Sequence, residues 1–311
     1  MKKAMKKILA VLMAVAMLCA MAVPAFADNA AVKGSITIDN AVVGETYTIY
    51  KIFDLNSYDK DNNKYSYTVA PEWEAFFATG AEGANYIKLT NNHPEWIKGD
   101  ENSGDPAAFA KAALAWAQNI KKIAPAVTPV KATNTTVAFN DLDLGYYLVD
   151  SSLGALCSLN TTNPDAKIEE KNEVPEVDKK IKENDDSKES NTAQINDVVN
   201  YEVTVTAKKG TTGYVVRDTM SAGLTFNNNI KVTVDNKEVT AGKDTYTLTP
   251  NPTDCTFELK FNDDYILGLV EQSATSKVEI KINYTATINK NAEVGTNKNT
   301  NSVILNYGRD S

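Results

Sequence analysis

The sequence predicts a mainly β protein built as two immunoglobulin-like β-sandwich domains in tandem, the first carrying a helical insertion. Three observations lead there. Apolar and polar residues alternate with period two in many short stretches separated by Gly, Asn and Asp turns, the pattern of antiparallel strands with one buried face. One charged, proline-containing stretch, TTNPDAKIEEKNEVPE, interrupts that alternation and marks a domain boundary. The 311 residues are 43% apolar and 23% charged, an ordinary globular composition at a length suited to two domains.

The chain opens with Lys2, Lys3, Lys6 and Lys7, then the apolar run Ile8 to Val23, then Pro24 and the small-x-small end Ala25-Phe26-Ala27. That order is a secretory signal peptide over residues 1–27, with the mature chain starting at Asp28. The run is shorter than a bilayer-spanning helix needs. The protein is therefore expected to be secreted. Those four lysines belong to a segment without Asp or Glu. The rest of the chain has 28 basic against 40 acidic residues, a net charge of −12. Such a surface has no electrostatic footprint for nucleic acid or anionic lipid. The one histidine, His93, argues against His-based metal centres and Ser-His triads, so no metal and no cofactor are expected.

The first domain is expected over residues 28–172. Ile36 and Ile38 in GSITIDN, then Tyr47, Ile49, Lys51 and Phe53 in ETYTIYKIF, alternate as strands, and KYSYTV follows across DKDNN. That turn offers Asp59, Asp61 and Asn63. However, Lys64 stands where a calcium loop needs Gly and Ala70 where it needs Glu, so a solvated hairpin turn is expected. Pro71 to Ala78 and Asp105 to Ala124 read as helices, the second capped by Asp105-Pro106. Its stripe of Phe109, Ala112, Ala113, Trp116, Ala117 and Ile120 should pack on the sheet. Strands resume with TTVAFN, GYYLVDS and ALCSLN.

The second domain is expected over residues 173–311. Its nine strands are VDKKIKE, VVNYEVTVTA, GYVVRDT, LTF, IKVTVD, DTYTLT, CTFELKF, KVEIKINYTATI and NTNSVILNY, with almost no helix. Of the three cysteines Cys19 leaves with the signal, and Cys157 and Cys255, in different domains and flanked by alternating apolar residues, read as buried core thiols. Disulfides therefore cannot staple this exported protein.

Parity places another staple within reach. Lys179 lies between Val177 and Ile181 on the inward face of the first strand, Asp218 shares a face with Tyr214 and Val216, and Asn301 with Val303, Leu305 and Tyr307. Taken singly, each could be an edge residue, and an inward lysine can snorkel to water. Taken together, they form a reactive set. Burial disfavours both charges, lowering the lysine pKa and raising the aspartate pKa. A neutral amine can then attack the Asn301 side-chain carbonyl while protonated Asp218 polarises it, releasing ammonia. The chemistry runs once within one chain, so it is maturation and not enzymatic turnover.

In VPEVDKKIKE, VVNYEVTVTA, VVRDTMSAGLTF and NTNSVILNY, over about residues 174–308, the sequence resembles the fimbrial isopeptide-forming domain of Gram-positive sortase-assembled pilins. ITIDN, YTIYKIF, LGYYLVDSS and the helical insertion are similar to the family's amino-terminal domain. The resemblance implies Cna-type sandwiches and carries the lysine, acid and asparagine of the family onto Lys179, Asp218 and Asn301. It implies no isopeptide bond in the first domain, whose first strand lacks an inward lysine and which has Asp150 where the family has Glu. It also implies a linker lysine that accepts the sortase-cleaved carboxyl of the next subunit. Lys171 holds the comparable place, though the usual Tyr-Pro before it is absent; a solvated linker lysine is the other reading. No LPxTG-like sorting signal precedes Ser311; because a third domain and tail usually follow in the family, the sequence is expected to stop short of one, the other reading being a protein not wall-anchored by that route.

The function implied is a structural subunit of a covalently assembled cell-wall fimbrium. Its partners would be other pilin subunits, joined through a sortase, and a host surface ligand, with no small-molecule substrate. A non-polymerising surface adhesin or stalk is the alternative. A secreted enzyme is disfavoured because no clustered carboxylates, metal ligands or triad stand out.

Overall fold

The computed structural model describes residues 33–59, 64–97, 106–161, 165–184, 186–296 and 298–309. The signal peptide, the Asp28 start, the DKDNN turn at 60–63, the Asp105 cap and the Cys157 side chain lie outside the described residues. The chain divides into two compact units, Met1–Asp150 with Cys157–Glu170, and Ser151–Leu156 with Lys171–Ser311. Both are β-rich, as the alternation predicts.

In the first unit, β1 (Lys33–Asp39), β2 (Thr46–Asp59), β3 (Lys64–Val69), β4 (Ile87–Thr90), β5 (His93–Trp96), β6 (Val130–Lys131), β7 (Thr136–Asp143), β8 (Gly145–Ser151), β9 (Gly154–Thr161) and β10 (Asp165–Glu169) follow in order. They form the sheets β10-β1-β7 and β3-β2-β8-β9, with β6 paired to β2, and the hairpin β4-β5. Ile36 and Ile38 are buried as the parity of β1 predicts, whereas β2 buries Tyr50 and Ile52 as well as Tyr47, Ile49 and Phe53, so it is covered on both faces and not on one.

Three expectations for this unit need correction. Residues 161–176 are not all linker, because Asp165–Glu169 is a strand running parallel to β1 and burying Ala166 and Ile168. A five-residue strand between prolines is easily read as loop when its partner lies more than a hundred residues away. The Pro71 to Ala78 helix is instead a tight 3₁₀ turn, Pro71–Trp73, continued by the bonds Phe76 N to Trp73 O and Phe77 N to Glu74 O. The triangular spacing of that turn aligns Trp73 with Phe76. The longer helix, α1 (Pro106–Ala115), passes into a π turn at Trp116–Ile120. The extra residue in that turn shifts the phase of the stripe, so Phe109, Ala113 and Ala117 are buried while Ile120 is 63% exposed. The stripe meets an aromatic cluster and not simply a sheet, with the Phe109 ring against Phe77, Tyr86 and Trp96.

In the second unit the strands are β11 (Glu176–Glu183), β12 (Asp186–Lys188), β13 (Val198–Lys208), β14 (Val215–Met220), β15 (Leu224–Phe226), β16 (Lys231–Val234), β17 (Lys237–Val239), β18 (Tyr246–Pro250), β19 (Phe257–Phe261), β20 (Lys277–Ile288) and β21 (Asn301–Asn306). One sheet runs β12-β11-β13-β20-β16-β17 with β15 on β20; the other runs β18-β19-β14-β21. Their inner faces enclose a core of Val203, Val205, Val216, Phe257, Leu259, Ile280 and Ile282. The two short strands β12 and β17 were not expected, nor was α2 (Asp263–Gln272). That helix starts where the Asn262 side chain accepts from Tyr265 N at 3.0 Å, followed by Asp263 and Asp264 in its first turn. It buries Ile266 and Val270 against the core. Cys255 is half-buried rather than buried, its thiol donating to Phe257 O at 3.3 Å just before β19 begins.

Candidate functional site

The site sits inside the second sandwich. On β11, Val177 and Ile181 pack on the core, and the pleat turns Lys179 between them toward the opposite sheet. Asp218 is inward on the central strand β14 beside Val216, and both are fully buried. β21 runs antiparallel to β14 with Val303 opposite Asp218 and Asn301 opposite Met220, so Asn301 enters the same interior from the neighbouring strand.

These three side chains meet. Lys179 Nζ donates to Asp218 Oδ2 at 2.6 Å and also to Asn301 Oδ1. The lysine side chain is 10% exposed and the aspartate 0%. Burial holds the Lys179 ammonium pKa down to about 8, although the Asp218 carboxylate opposes that shift. Burial likewise pushes the Asp218 carboxyl up, against the pull of Lys179 and Tyr284. Both shifts favour the uncharged pair, in which the lysine proton has moved to the carboxyl. Asp218 Oδ1 is buried with no hydrogen-bond partner, an arrangement that suits a neutral carboxyl better than a carboxylate.

Two tyrosines complete the chamber, and sequence reasoning missed both. Tyr201 on β13 and Tyr284 on β20 are cross-strand partners, stacked with ring centres 5.4 Å apart. Lys179 Nζ lies 5.3 Å from the centre of the Tyr201 ring and 5.6 Å from that of Tyr284. Tyr284 Oη donates to Asp218 Oδ2 at 2.5 Å and accepts from Asn301 Nδ2 at 3.1 Å. Burial raises its phenol pKa far above the ordinary value. The available signal was its inward parity in KVEIKINYTATI, where it shares a face with Ile280 and Ile282.

Lys171 is exposed in the strand-free segment before β11. The residue before it, Glu170, is buried and accepts a hydrogen bond from the Tyr47 hydroxyl at 3.0 Å. In the first unit, Asp150 is buried and accepts from Gln118 Nε2 at 2.8 Å. Lys33, the lysine of β1, pairs with Asp143 at 2.5 Å on the surface. Among the described residues, no group of His, Cys, Asp and Glu could hold a metal ion, and no helix is long and apolar enough to cross a membrane.

A two-sheet sandwich with a lysine, an acid and an asparagine in contact inside it defines a Cna-type domain with the parts of an internal amide cross-link. Residues 195–311 match the family of the Gram-positive pilin backbone subunit 2, Cna-B-like domain. The T6 backbone pilin of serotype M6 Streptococcus pyogenes is similar in structure, with 21% identity, a TM-score of 0.51, and coverage of 87% of this chain and 56% of that one. RrgB, the pilus protein of Streptococcus pneumoniae, aligns at 18% identity and a TM-score of 0.46, covering 90% of this chain and 49% of its own. The major pilin SpaD of Corynebacterium diphtheriae aligns at 18% and 0.44, covering 88% and 61%. This chain thus spans about half to three-fifths of the length of these pilins. No curated protein matches it. The resemblance to Gram-positive pilins read from the sequence is therefore met again in the family match, and the T6 likeness shows the shared fold.

Proposed function

We propose that this chain is a structural subunit of a covalently assembled cell-surface pilus, and that its second domain matures by joining Lys179 to Asn301. The observation that carries the reading is the contact of Lys179 Nζ with both Asp218 and the Asn301 carboxamide inside the sandwich. In the uncharged pair the Nζ lone pair attacks Asn301 Cγ. The carbonyl electrons move onto Oδ1, and their return expels Nδ2. Nζ gives up one proton and Nδ2 takes one, so the products are a secondary amide and ammonia. Asp218 starts and ends protonated. Because the bond forms once per chain, the protein is a product of this chemistry and not an enzyme.

Lys171, exposed and preceding the cross-linked domain, is the acceptor for the carboxyl of the next subunit, delivered by a sortase. The partners are therefore other copies along a cell-wall fimbrium. Residues 1–27 direct export and are removed before Asp28. Boiled denaturing gels of wall extracts should show a high-molecular-weight ladder that Lys171→Ala abolishes. A discrete monomer that binds a host ligand would instead identify a non-polymerising adhesin or stalk. Intact mass of the mature chain should be short by one ammonia, and Asp218→Ala should restore the full mass. A full wild-type mass after complete folding would remove the cross-link from the proposal.

A further inference from the structure

The path by which Asn301 Nδ2 acquires its proton bears on one residue outside the triad. Asp218 makes its hydrogen bonds to Lys179 and Tyr284, and Asn301 Nδ2 makes its own to Tyr284 Oη. The phenol thus stands between the acid and the leaving nitrogen, in bonding distance of each. From these contacts we infer that Tyr284 is a catalytic group of the cross-linking reaction, relaying the proton of Asp218 to the departing ammonia. The inference rests on the Lys179–Asn301 bond proposed above.

The step balances without any outside reactant. In the planar amide, Nδ2 has no basic lone pair and donates to Tyr284 Oη. Once Nζ has added to Cγ, Nδ2 is an amine and its lone pair can accept. The two hydrogen bonds then reverse direction with the heavy atoms in place. Tyr284 passes its hydroxyl proton to Nδ2 and takes the carboxyl proton from Asp218 Oδ2. The C–N bond breaks and ammonia leaves, and Asp218, now a carboxylate, recovers a proton from Nζ. Tyr284 is neutral before and after, which suits a buried phenol held away from ionisation. The same oxygen also fixes the amide. By accepting from Nδ2 it turns Oδ1 toward Lys179, so the nucleophile meets the carbonyl end.

The test follows the loss of one ammonia by intact mass spectrometry during refolding of the mature chain. Tyr284→Phe keeps the ring stacked on Tyr201 and deletes the relay oxygen. Its rate should fall by about a hundredfold or more, the range of general acid–base groups. A fluorinated tyrosine at 284, nearly the same shape but more acidic, should change the rate of a chain that folds as wild type. This second variant decides the matter if the first fails to fold. A Tyr284→Phe or fluorotyrosine chain that cross-links at the wild-type rate would overturn the relay and leave Tyr284 a packing residue. A wild-type chain that never loses ammonia would instead refute the bond itself, so the two failures are distinct.

Discussion

At the scale of the residue, the second sandwich has buried what other folds keep in water. An unpaired lysine in an apolar core is very costly, and Lys179 avoids that cost by sharing one proton with Asp218. That sharing sets a pH dependence. The reactive form is the pair holding a single proton, with the amine free and the carboxyl protonated. Below the raised Asp218 value the pair gains a second proton and the amine is blocked. Above about 8, where Lys179 titrates, the pair loses the proton that the leaving nitrogen needs. The rate of ammonia loss should therefore be bell-shaped, rising through the raised Asp218 value and falling beyond pH of about 8. Mass spectrometry of refolding across buffers checks it, and a rate still climbing at pH of about 10 would mean the free amine acts without an acid. The triad was legible in the sequence because parity alone turns Lys179, Asp218 and Asn301 inward. Tyr284 has the same parity but passes for an ordinary aromatic core position until its hydroxyl is seen between two polar groups.

At the scale of the element, the strands were readable and the irregular pieces were not. Alternation reports a half-buried strand of six or more residues, but β4, β5, β6, β10, β12 and β17 are too short to display a period. The helix α2 did carry a signal, since Asn262-Asp263-Asp264 is a capping residue followed by first-turn acids. Asn262→Ala should cost about 1 kcal/mol by removing the cap, and urea unfolding of an Asn301→Ala background would measure it. Gly213 has a different role, leading into the strand that carries Asp218. Its φ is +71°, and a Cβ there would sit 2.4 Å from Gly308 O. Its amide donates to Asp263 Oδ1 at 2.7 Å. Gly213→Ala should destabilise the same background by about 2 kcal/mol, combining a left-handed backbone with a backbone clash. A loss below about 0.5 kcal/mol, the level of ordinary surface changes, would mean the turn relaxes freely.

At the scale of the whole molecule, the proposed bond joins the first long strand of the second domain to its last, 122 residues apart in sequence. By analogy with a disulfide closing a loop of that order, it should stabilise the fold by about 4–5 kcal/mol through the unfolded state. Asn301→Ala should then melt roughly 10–20 °C below the cross-linked chain, read by calorimetry of both proteins at one pH. A difference of only about 2 °C would mean the bond contributes little to thermal stability. For a shaft, the mechanical consequence matters more. A covalent bridge between the strands by which force enters and leaves carries load without unfolding the sandwich, and it needs no oxidant.

The sequence by itself determined the alternating strands of six or more residues and the inward face of Lys179, Asp218 and Asn301. It could do so because side-chain parity in a strand is a local property with period two. Only the tertiary structure decided that β11 faces β14 across the core and that β21 lies beside β14. Strand order is a long-range choice that alternation does not encode. The same holds for the displaced pKa values and the Tyr284 bridge. Desolvation is produced by all the surrounding strands at once, and no single segment of the sequence carries it.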